Sequence, residues 1–169
     1  MLATKYNKQN HNVIGWVASE KYDGIRAFWD GQNMTTRGGK TIYNLPDMIL
    51  KVLPTDSKLD GELTMGRGKF TETMKFLNSQ TPKTGGLRYY VFDNAKPRTS
   101  FRERIDQVEE EVKRMRKRAP KGKRIRVHAV KQTEIKSHDH LKSMMRRVLR
   151  DNGEGLILRD PDSLYVNGR

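Results

Sequence analysis

Lys21 is a residue whose type and surroundings suggest covalent chemistry. It lies in the run Glu20-Lys21-Tyr22-Asp23-Gly24-Ile25-Arg26, between apolar and aromatic stretches at 13–18 and 27–29. Partial desolvation between two strands lowers the pKa of an ammonium group, and the neutral amine is a nucleophile. The alternative is an exposed lysine on a β-hairpin that Asp23-Gly24 closes, because that pair suits tight turns. The choice between these two interpretations depends on whether the rest of the chain supplies the functional groups that a reactive lysine needs.

Further short motifs follow this lysine along the chain. They are Arg37-Gly38-Gly39, Asp60-Gly61-Glu62-Leu63, Tyr90-Val91-Phe92-Asp93 and Glu154-Gly155-Leu156-Ile157-Leu158-Arg159. Each is weak alone, since Asp-Gly-Glu is common in turns and Glu-Gly is a common strand entry. Together they match what a lysine needs in order to attack the α-phosphate of a nucleotide: cations for phosphate, carboxylates for a metal and ribose, and a surface for the base.

The side chains in these motifs can supply each of these functional groups. Glu62 and Glu154 offer hard oxygen atoms, and magnesium prefers one or two carboxylates together with waters and substrate phosphate. Phe92 can stack on a purine. Arg26 and Arg37 offer planar guanidinium donors to phosphate or ribose oxygens.

The pattern of apolar residues predicts mixed strands and helices that would position these side chains. Alternation and turn residues predict strands at 13–20, 25–30, 34–37, 59–64, 87–93, 125–130 and 154–160. Helical spacing predicts helices at 45–53, 70–78, 100–117 and 137–149. Ser100 and Glu103 predict a capping box at the third of these helices. Hairpin-like strand pairs favour an antiparallel α+β fold over a doubly wound sheet.

The amino-acid composition limits the classes of partner that the chain could bind. The chain has 169 residues, a formal net charge of +14 and no cysteine. A single domain this basic favours a polyanion as its partner, and the lack of cysteine excludes disulfides and thiolate zinc sites. No apolar run is long enough to span a bilayer, and the N-terminus has no signal-peptide pattern. We therefore expect a cytoplasmic protein with no membrane partner.

Basic residues outside the motifs are candidates for contacts with nucleic-acid phosphates. They lie in the loop after the third strand, in the glycine-containing loop at 65–69 and in the acid-free run from 113 to 126. The predicted DNA-binding residues are Arg37, Lys40, Arg67, Lys69, Arg116, Lys117, Arg118, Lys121 and Lys123. For the helical part of the run, a solvated helix end is an equal alternative.

The ordered motifs resemble those of the ATP-dependent DNA ligases, within the covalent nucleotidyltransferases. Lys-x-Asp-Gly-x-Arg at 21–26 is similar to their motif I, and Arg37-Gly38-Gly39 is similar to the basic loop that follows it. The runs at 60–63, 92–93 and 154–157 are similar to motifs III, IIIa and IV. Leu2-Ala3-Thr4-Lys5-Tyr6 and the segment from Ser19 to Gly31 resemble the small ligases of bacteria and viruses. The resemblance implies an ATP-grasp-like nucleotidyltransferase fold of mainly antiparallel sheets flanked by helices, with residues 1–169 forming one adenylation domain. We also expect a monomer.

The resemblance assigns roles residue by residue. Lys21 would take AMP from ATP, and the AMP would pass to the 5′-phosphate of a nick in double-stranded DNA, which is then sealed. Glu62 and Glu154 would hold Mg²⁺ or Mn²⁺. The implied nucleotide-binding residues are Ser19, Glu20, Lys21, Arg26, Arg37, Glu62 and Phe92. Such an enzyme serves DNA replication, repair or recombination, and the sequence does not choose among them.

Two family features are expected beyond Arg169. These are motif V, whose lysines bind the α-phosphate, and an OB-fold domain that closes over nucleotide and DNA. We therefore expect residues 1–169 alone to adenylylate slowly and to seal nicks inefficiently. An RNA ligase or an mRNA capping nucleotidyltransferase would use the same lysine chemistry. An inactive, ligase-like nucleic-acid-binding core is the non-enzymatic alternative.

Overall fold

Two β-sheets and four helices form the fold. The computed structural model describes residues 3–8, 11–79 and 86–166. Leu2, which belongs to the segment at 2–6 that resembles the small ligases, and residues 167–169 lie outside the described residues. The strands are β1 (Val17–Lys21), β2 (Ile25–Trp29), β3 (Met34–Thr36), β4 (Leu59–Thr64), β5 (Arg88–Asn94), β6 (Val127–Ala129), β7 (Thr133–Glu134) and β8 (Gly155–Arg159). The helices are α1 (Asp47–Leu50), α2 (Phe70–Leu77), α3 (Phe101–Arg118) and α4 (His138–Arg150).

The sheets are mainly antiparallel, as predicted. The larger sheet has five strands in the order β3-β2-β4-β5-β6, and only its β5–β6 pair is parallel. The smaller sheet has three strands in the order β7-β1-β8, all antiparallel. This mixture of sheets and flanking helices confirms the predicted α+β class. None of the helices in the described ranges is long and apolar enough to cross a membrane.

Strands β1 and β2 belong to different sheets, so the hairpin alternative is wrong. β1 pairs with β8, which brings Lys21 opposite Gly155, while β2 pairs with β3 and β4. Asp23-Gly24 is the crossing point between the sheets. A Cβ atom on Gly24 would lie 2.2 Å from the carbonyl oxygen of Leu63, so a side chain at this position would collide with β4.

The larger sheet buries one face against α3. Tyr89 and Val91 of β5 are fully buried, whereas their neighbours Tyr90 and Phe92 are half-buried on the opposite face. From α3, the apolar stripe Phe101, Ile105, Val108, Val112 and Met115 packs into the same core. Alternation along β5 therefore separates a packed face from a face that is free to line a site.

The N-terminus of α3 confirms the predicted capping box. The Oγ of Ser100 accepts from the backbone N–H of Glu103 at 3.3 Å, and the Glu103 carboxylate accepts from the backbone N–H of Ser100 at 2.9 Å. Two other predictions needed adjustment. Helix α1 is shorter than predicted, and the short strand β7 had no signal because its pairing with β1 is long-range.

Gly61 lies inside β4, at a bulge between Asp60 and Gly61, and not in a turn. A Cβ atom here would lie 2.5 Å from the carbonyl oxygen of Tyr90 and 2.6 Å from the ring of Tyr89. The Tyr89 hydroxyl is buried, 3.0 Å from the carbonyl oxygens of both Ala27 and Leu59. The glycine therefore allows the Tyr89 ring to pass beneath β4.

Candidate active site

A cavity of about 270 Å³ lies between the two sheets. It is lined by residues of β1, β2, β4, β5 and β8, so neither sheet forms it alone. The structure brings together every residue that was predicted to bind nucleotide. The cavity is lined by Ala3, Ser19, Glu20, Lys21, Tyr22, Arg26, Arg37, Glu62, Phe92, Phe101, Gln132, Ile157 and Arg159.

Lys21 is the last residue of β1, and its Nζ donates a hydrogen bond to Oε1 of Glu154. Glu154 immediately precedes β8, and the antiparallel register that pairs Lys21 with Gly155 places the two side chains together. The Lys21 side chain is 44% exposed. The predicted desolvated slot is therefore wrong for this structure, and an ion pair with Glu154 takes its place.

Arg26 is fixed on the opposite wall by Asp60. Its Nε donates to Oδ1 of Asp60 at 3.0 Å and its Nη2 to Oδ2 at 2.6 Å. Asp60 is buried, and its Oδ2 also accepts from the hydroxyl of Tyr165 at 3.0 Å. A bidentate pair of this kind sets the plane of the guanidinium. Arg26 is thus held beside Phe92, whose ring centroid lies 5.7 Å from the guanidinium carbon.

Glu62 has a perturbed pKa. Burial in the cavity wall raises it from 4.5 to about 8; the positive charges of Lys21 and Arg26 oppose this rise, and the negative charges of Asp60 and Glu154 add to it. A carboxyl group that lies in a cleft and has its pKa shifted toward neutral pH is typical of functional sites. The group exchanges a proton close to physiological pH.

The carboxylates of Glu62 and Glu154 fit a magnesium ion whose remaining coordination positions are filled by water and substrate. Among the described residues there is no cluster of three or more His, Asp or Glu side chains that could hold a metal ion alone. Magnesium needs only one or two carboxylates when waters and phosphate oxygens fill the other positions. Glu62 and Glu154 can supply these. Burial is the main cause of the raised pKa of Glu62, and a bound cation would neutralise the negative charge that adds to this rise.

Three features of the site had no sequence prediction. Arg159 lines the cavity, donates to Oδ2 of the buried Asp93 and lies 4.4 Å over the ring of Phe101. Gln132, between β6 and β7, also lines the cavity. Arg159 is the last residue of the 154–159 motif, and its place in that motif could have indicated that it belongs to the site.

The third feature is an aromatic stack beside Lys21. The rings of Tyr22 and Tyr90 are parallel within 15° at 4.0 Å between centroids, and His128 follows at 5.2 Å from Tyr90. Burial raises the pKa of Tyr22 to about 12, with the charge of Glu20 adding to the rise. Burial lowers the pKa of His128, with smaller contributions from nearby arginine guanidinium groups. The stack joins β1 to the larger sheet.

The predicted DNA-binding residues are spread over different parts of the surface. Arg37 lines the cavity, and Lys40 borders a separate groove near Tyr43. Lys69 pairs with Glu72 at 3.1 Å, and Arg67 pairs with Glu20. The basic run at the end of α3 is exposed, including Arg116, Lys117, Arg118, Lys121 and Lys123. The structure therefore gives Arg67 a carboxylate partner where a phosphate contact was predicted.

Comparison with known proteins shows the family of the chain. The family model described as the ATP dependent DNA ligase domain matches residues 1–169. A curated DNA ligase of Haemophilus influenzae is 30% identical over 173 residues, which span all of this chain and 59% of that protein. A solved structure from a study of Lig E DNA ligases is 30% identical with a TM-score of 0.83, covering 99% of this chain and 64% of the other.

A solved Chlorella virus DNA ligase-adenylate shares the fold, with a TM-score of 0.78 at 24% identity, over 97% of this chain and 61% of that one. The chain thus spans less than two thirds of the length of these relatives. A match over all 169 residues, on a fold whose site residues converge as the motifs require, is decisive for the family. The chain belongs to the ATP-dependent DNA ligase domain family.

Proposed function

We propose that this chain is the adenylation core of an ATP-dependent DNA ligase, with Lys21 as the nucleophile. The observation that carries the proposal is the convergence of Lys21, Arg26, Glu62 and Phe92 on one cavity between the sheets. In the first step, Nζ of Lys21 forms a bond to the α-phosphorus of ATP. The bond from that phosphorus to pyrophosphate breaks, and the amine loses a proton.

The wall residues divide the nucleotide between them. Phe92 stacks on adenine, and the backbone at Ser19 and Glu20 contacts the edge of the base. Arg26 and Glu62 hold the ribose. Arg26 is suited to a fixed contact because Asp60 already sets its plane. Arg37, which lines the same cavity, faces the phosphates.

A magnesium ion held by Glu62 and Glu154 would neutralise charge on the α-phosphate. Glu154 would be available to a cation only where its ion pair with Lys21 opens, and Lys21 attacks only after its ammonium group has lost a proton. Glu62 must also lose its proton to bind a cation, and a pKa of about 8 makes this proton loss sensitive to pH. These residues therefore link metal binding to release of the nucleophile.

In the complete protein, AMP passes from Lys21 to the 5′-phosphate of a nick, and the 3′-hydroxyl then displaces AMP. The relatives described above are DNA ligases, which supports DNA over the RNA-ligase and capping alternatives. We further propose that motif V and an OB-fold domain complete the site in cis, and that the protein acts as a cytoplasmic monomer. Light scattering on the purified protein tests the oligomeric state.

Labelling tests the first step directly. Incubation with α-labelled ATP and magnesium should give a labelled protein whose phosphoramide bond survives denaturation and alkali but is cleaved by acid, and Lys21→Arg should give none. Replacing ATP with GTP separates ligation from capping, and nicked DNA against nicked RNA separates the ligases. Absence of label in the parent protein, or label that persists in Lys21→Arg, overturns the proposal.

A further inference from the structure

Arg67 joins the larger sheet to two segments of the chain that carry the reacting groups. Its Nε donates to Oε1 of Glu20 at 2.7 Å and its Nη2 to Oε2 of the same carboxylate at 2.9 Å. Its Nη1 donates to the carbonyl oxygen of Asp151 at 3.0 Å. One guanidinium group therefore binds β1 and the turn after α4 at the same time.

These contacts form a closed ring with Lys21 and Glu154. Glu20 immediately precedes Lys21, and Asp151 lies in the turn that leads to Glu154. The ion pair of Lys21 with Glu154 joins the same two segments on the other side. Arg67 thus fixes, through the backbone, the separation of the nucleophile from the candidate metal ligand.

The turn approaches Glu20 closely, which a glycine permits. A Cβ atom on Gly153 would lie 3.2 Å from Oε1 of Glu20 and 2.5 Å from a methyl carbon of Val148. The adjoining Asn152 has a positive φ of 58°. A small cavity of about 150 Å³ remains between this turn, Arg67 and Lys21.

The loop that carries Arg67 is anchored independently of these contacts. The hydroxyl of Thr64 donates to the carbonyl oxygen of Asp23 at 2.7 Å and accepts from the N–H of Gly66 at 3.0 Å. The N–H of Met65 donates to Oγ1 of Thr73 in α2 at 3.0 Å. Arg67 therefore extends from a fixed point on the larger sheet toward the smaller one.

We propose that Arg67 is a positioning residue that orients Lys21 and Glu154 through Glu20 and the 151–154 turn, and that it is not a DNA phosphate ligand. This rests on the proposed function for its link to catalysis. A guanidinium group can bind a carboxylate with two parallel bonds and still donate a third, whereas a lysine ammonium acts as a point charge. Lysine would therefore preserve a phosphate contact better than it preserves this ring.

The experiment compares Arg67→Lys, Arg67→Gln, Glu20→Gln and the double Gln variant, with exposed Arg102→Lys and Arg102→Gln as matched controls. Thermal unfolding first establishes that each variant is folded. The readouts are the rate of lysyl-AMP formation at saturating ATP, nicked-DNA affinity over a range of salt concentrations, and amide hydrogen exchange at 151–154 without nucleotide. Exchange reports on the ring even if the protein forms no lysyl-AMP.

Positioning predicts that both Arg67 variants and Glu20→Gln lower the rate by about 10- to 100-fold, because small displacements of reacting groups are costly. The double variant should lose no more than either single one, since the two residues act as a pair. Exchange at 151–154 should rise in Arg67→Lys and Arg67→Gln. The salt dependence of DNA affinity should match that of the parent protein.

Two results separate failure of this proposal from failure of the proposed function. If Arg67→Lys keeps the parent rate and exchange while Arg67→Gln weakens DNA binding with a shallower salt dependence, Arg67 is a phosphate ligand and the positioning role is wrong. If the parent protein forms no lysyl-AMP but exchange at 151–154 still rises in the Arg67 variants, the ring is real and the proposed chemistry is wrong.

Discussion

Lys21 and Glu154 are hydrogen-bonded to each other across the paired ends of β1 and β8, so the candidate nucleophile and a candidate metal ligand share one contact. We expect Glu154→Gln to lower lysyl-AMP formation at least about tenfold and to raise the magnesium concentration needed, because ligand changes commonly cost this much in metal affinity. A magnesium titration of the labelling rate measures both effects.

The matched control for that variant is Glu110→Gln, an exposed glutamate on α3 that pairs only with Lys113 among the contacts described. It should label at the parent rate. A Glu154→Gln protein with an unchanged magnesium requirement would place the metal elsewhere.

The contribution of Glu62 to the free energy of unfolding should fall as pH rises. Its pKa is raised from 4.5 to about 8 by burial, so between these values the folded state holds a proton that the unfolded state has lost. The contribution of Glu62 to the free energy of unfolding is therefore fully present below about pH 4.5. It decreases by about 1 kcal/mol per pH unit up to about pH 8. Glu62→Gln should remove this slope, as measured by urea unfolding from pH 5 to 9 without nucleotide or metal.

Parallel pH profiles for the parent protein and Glu62→Gln would contradict the assignment. The Glu110→Gln control should keep the parent profile, since the hydrogen bond from Lys113 lowers the pKa of Glu110 and that carboxylate stays ionised from pH 5 to 9.

Phe92→Leu should weaken ATP binding about tenfold, since stacking of one base on an aromatic ring contributes about 1–3 kcal/mol. The KM for ATP in the labelling reaction should rise while the rate at saturation changes little. Phe70→Leu, at an exposed phenylalanine on α2, is the matched control. A lower saturating rate at unchanged KM would show instead that Phe92 acts by holding Arg26, which packs 5.7 Å from its ring.

The exposed run at the end of α3 should contribute to DNA affinity through phosphates alone. Replacing Arg116, Lys117 and Arg118 with glutamine should weaken nicked-DNA binding and lower the salt slope by about 0.9 for each phosphate that the protein no longer neutralises. Fluorescence anisotropy across salt concentrations measures this, with Lys51→Gln as the control because Lys51 pairs with Asp47 on α1. An unchanged slope would assign the run to a solvated helix end.

Much of the site could be predicted because its residues lie in short motifs that are weak alone but follow one another in a fixed order along the chain. The alternation in β5 that exposes Phe92, and the capping box at Ser100, follow from neighbouring residues alone. The separation of β1 from β2 could not be predicted in this way, because the partner of β1 is β8, which lies more than 130 residues away at the Lys21–Gly155 pair. Long-range pairing also hid the carboxylate partner of Arg67.

The exposure of Lys21 was one of two alternatives, and the sequence could not choose between them for a related reason. Its apolar neighbours in sequence pack into the sheets, while the side chain itself projects into the cavity beside Glu154. Local hydrophobicity predicted desolvation, but the orientation at the end of β1 decided the outcome.

The glycines of the motifs have a consequence for recognising such chains. Gly24 and Gly61 are required by the close approach of Leu63 and Tyr89, not by contact with a nucleotide. A descendant that had lost Lys21 and Glu62 would still need both glycines in order to fold. The Asp-Gly pairs therefore indicate the fold and not the activity, and an inactive relative would retain them. The charged residues beside them, Lys21 and Glu62, are the positions at which we expect an active ligase core to differ from an inactive relative with the same fold.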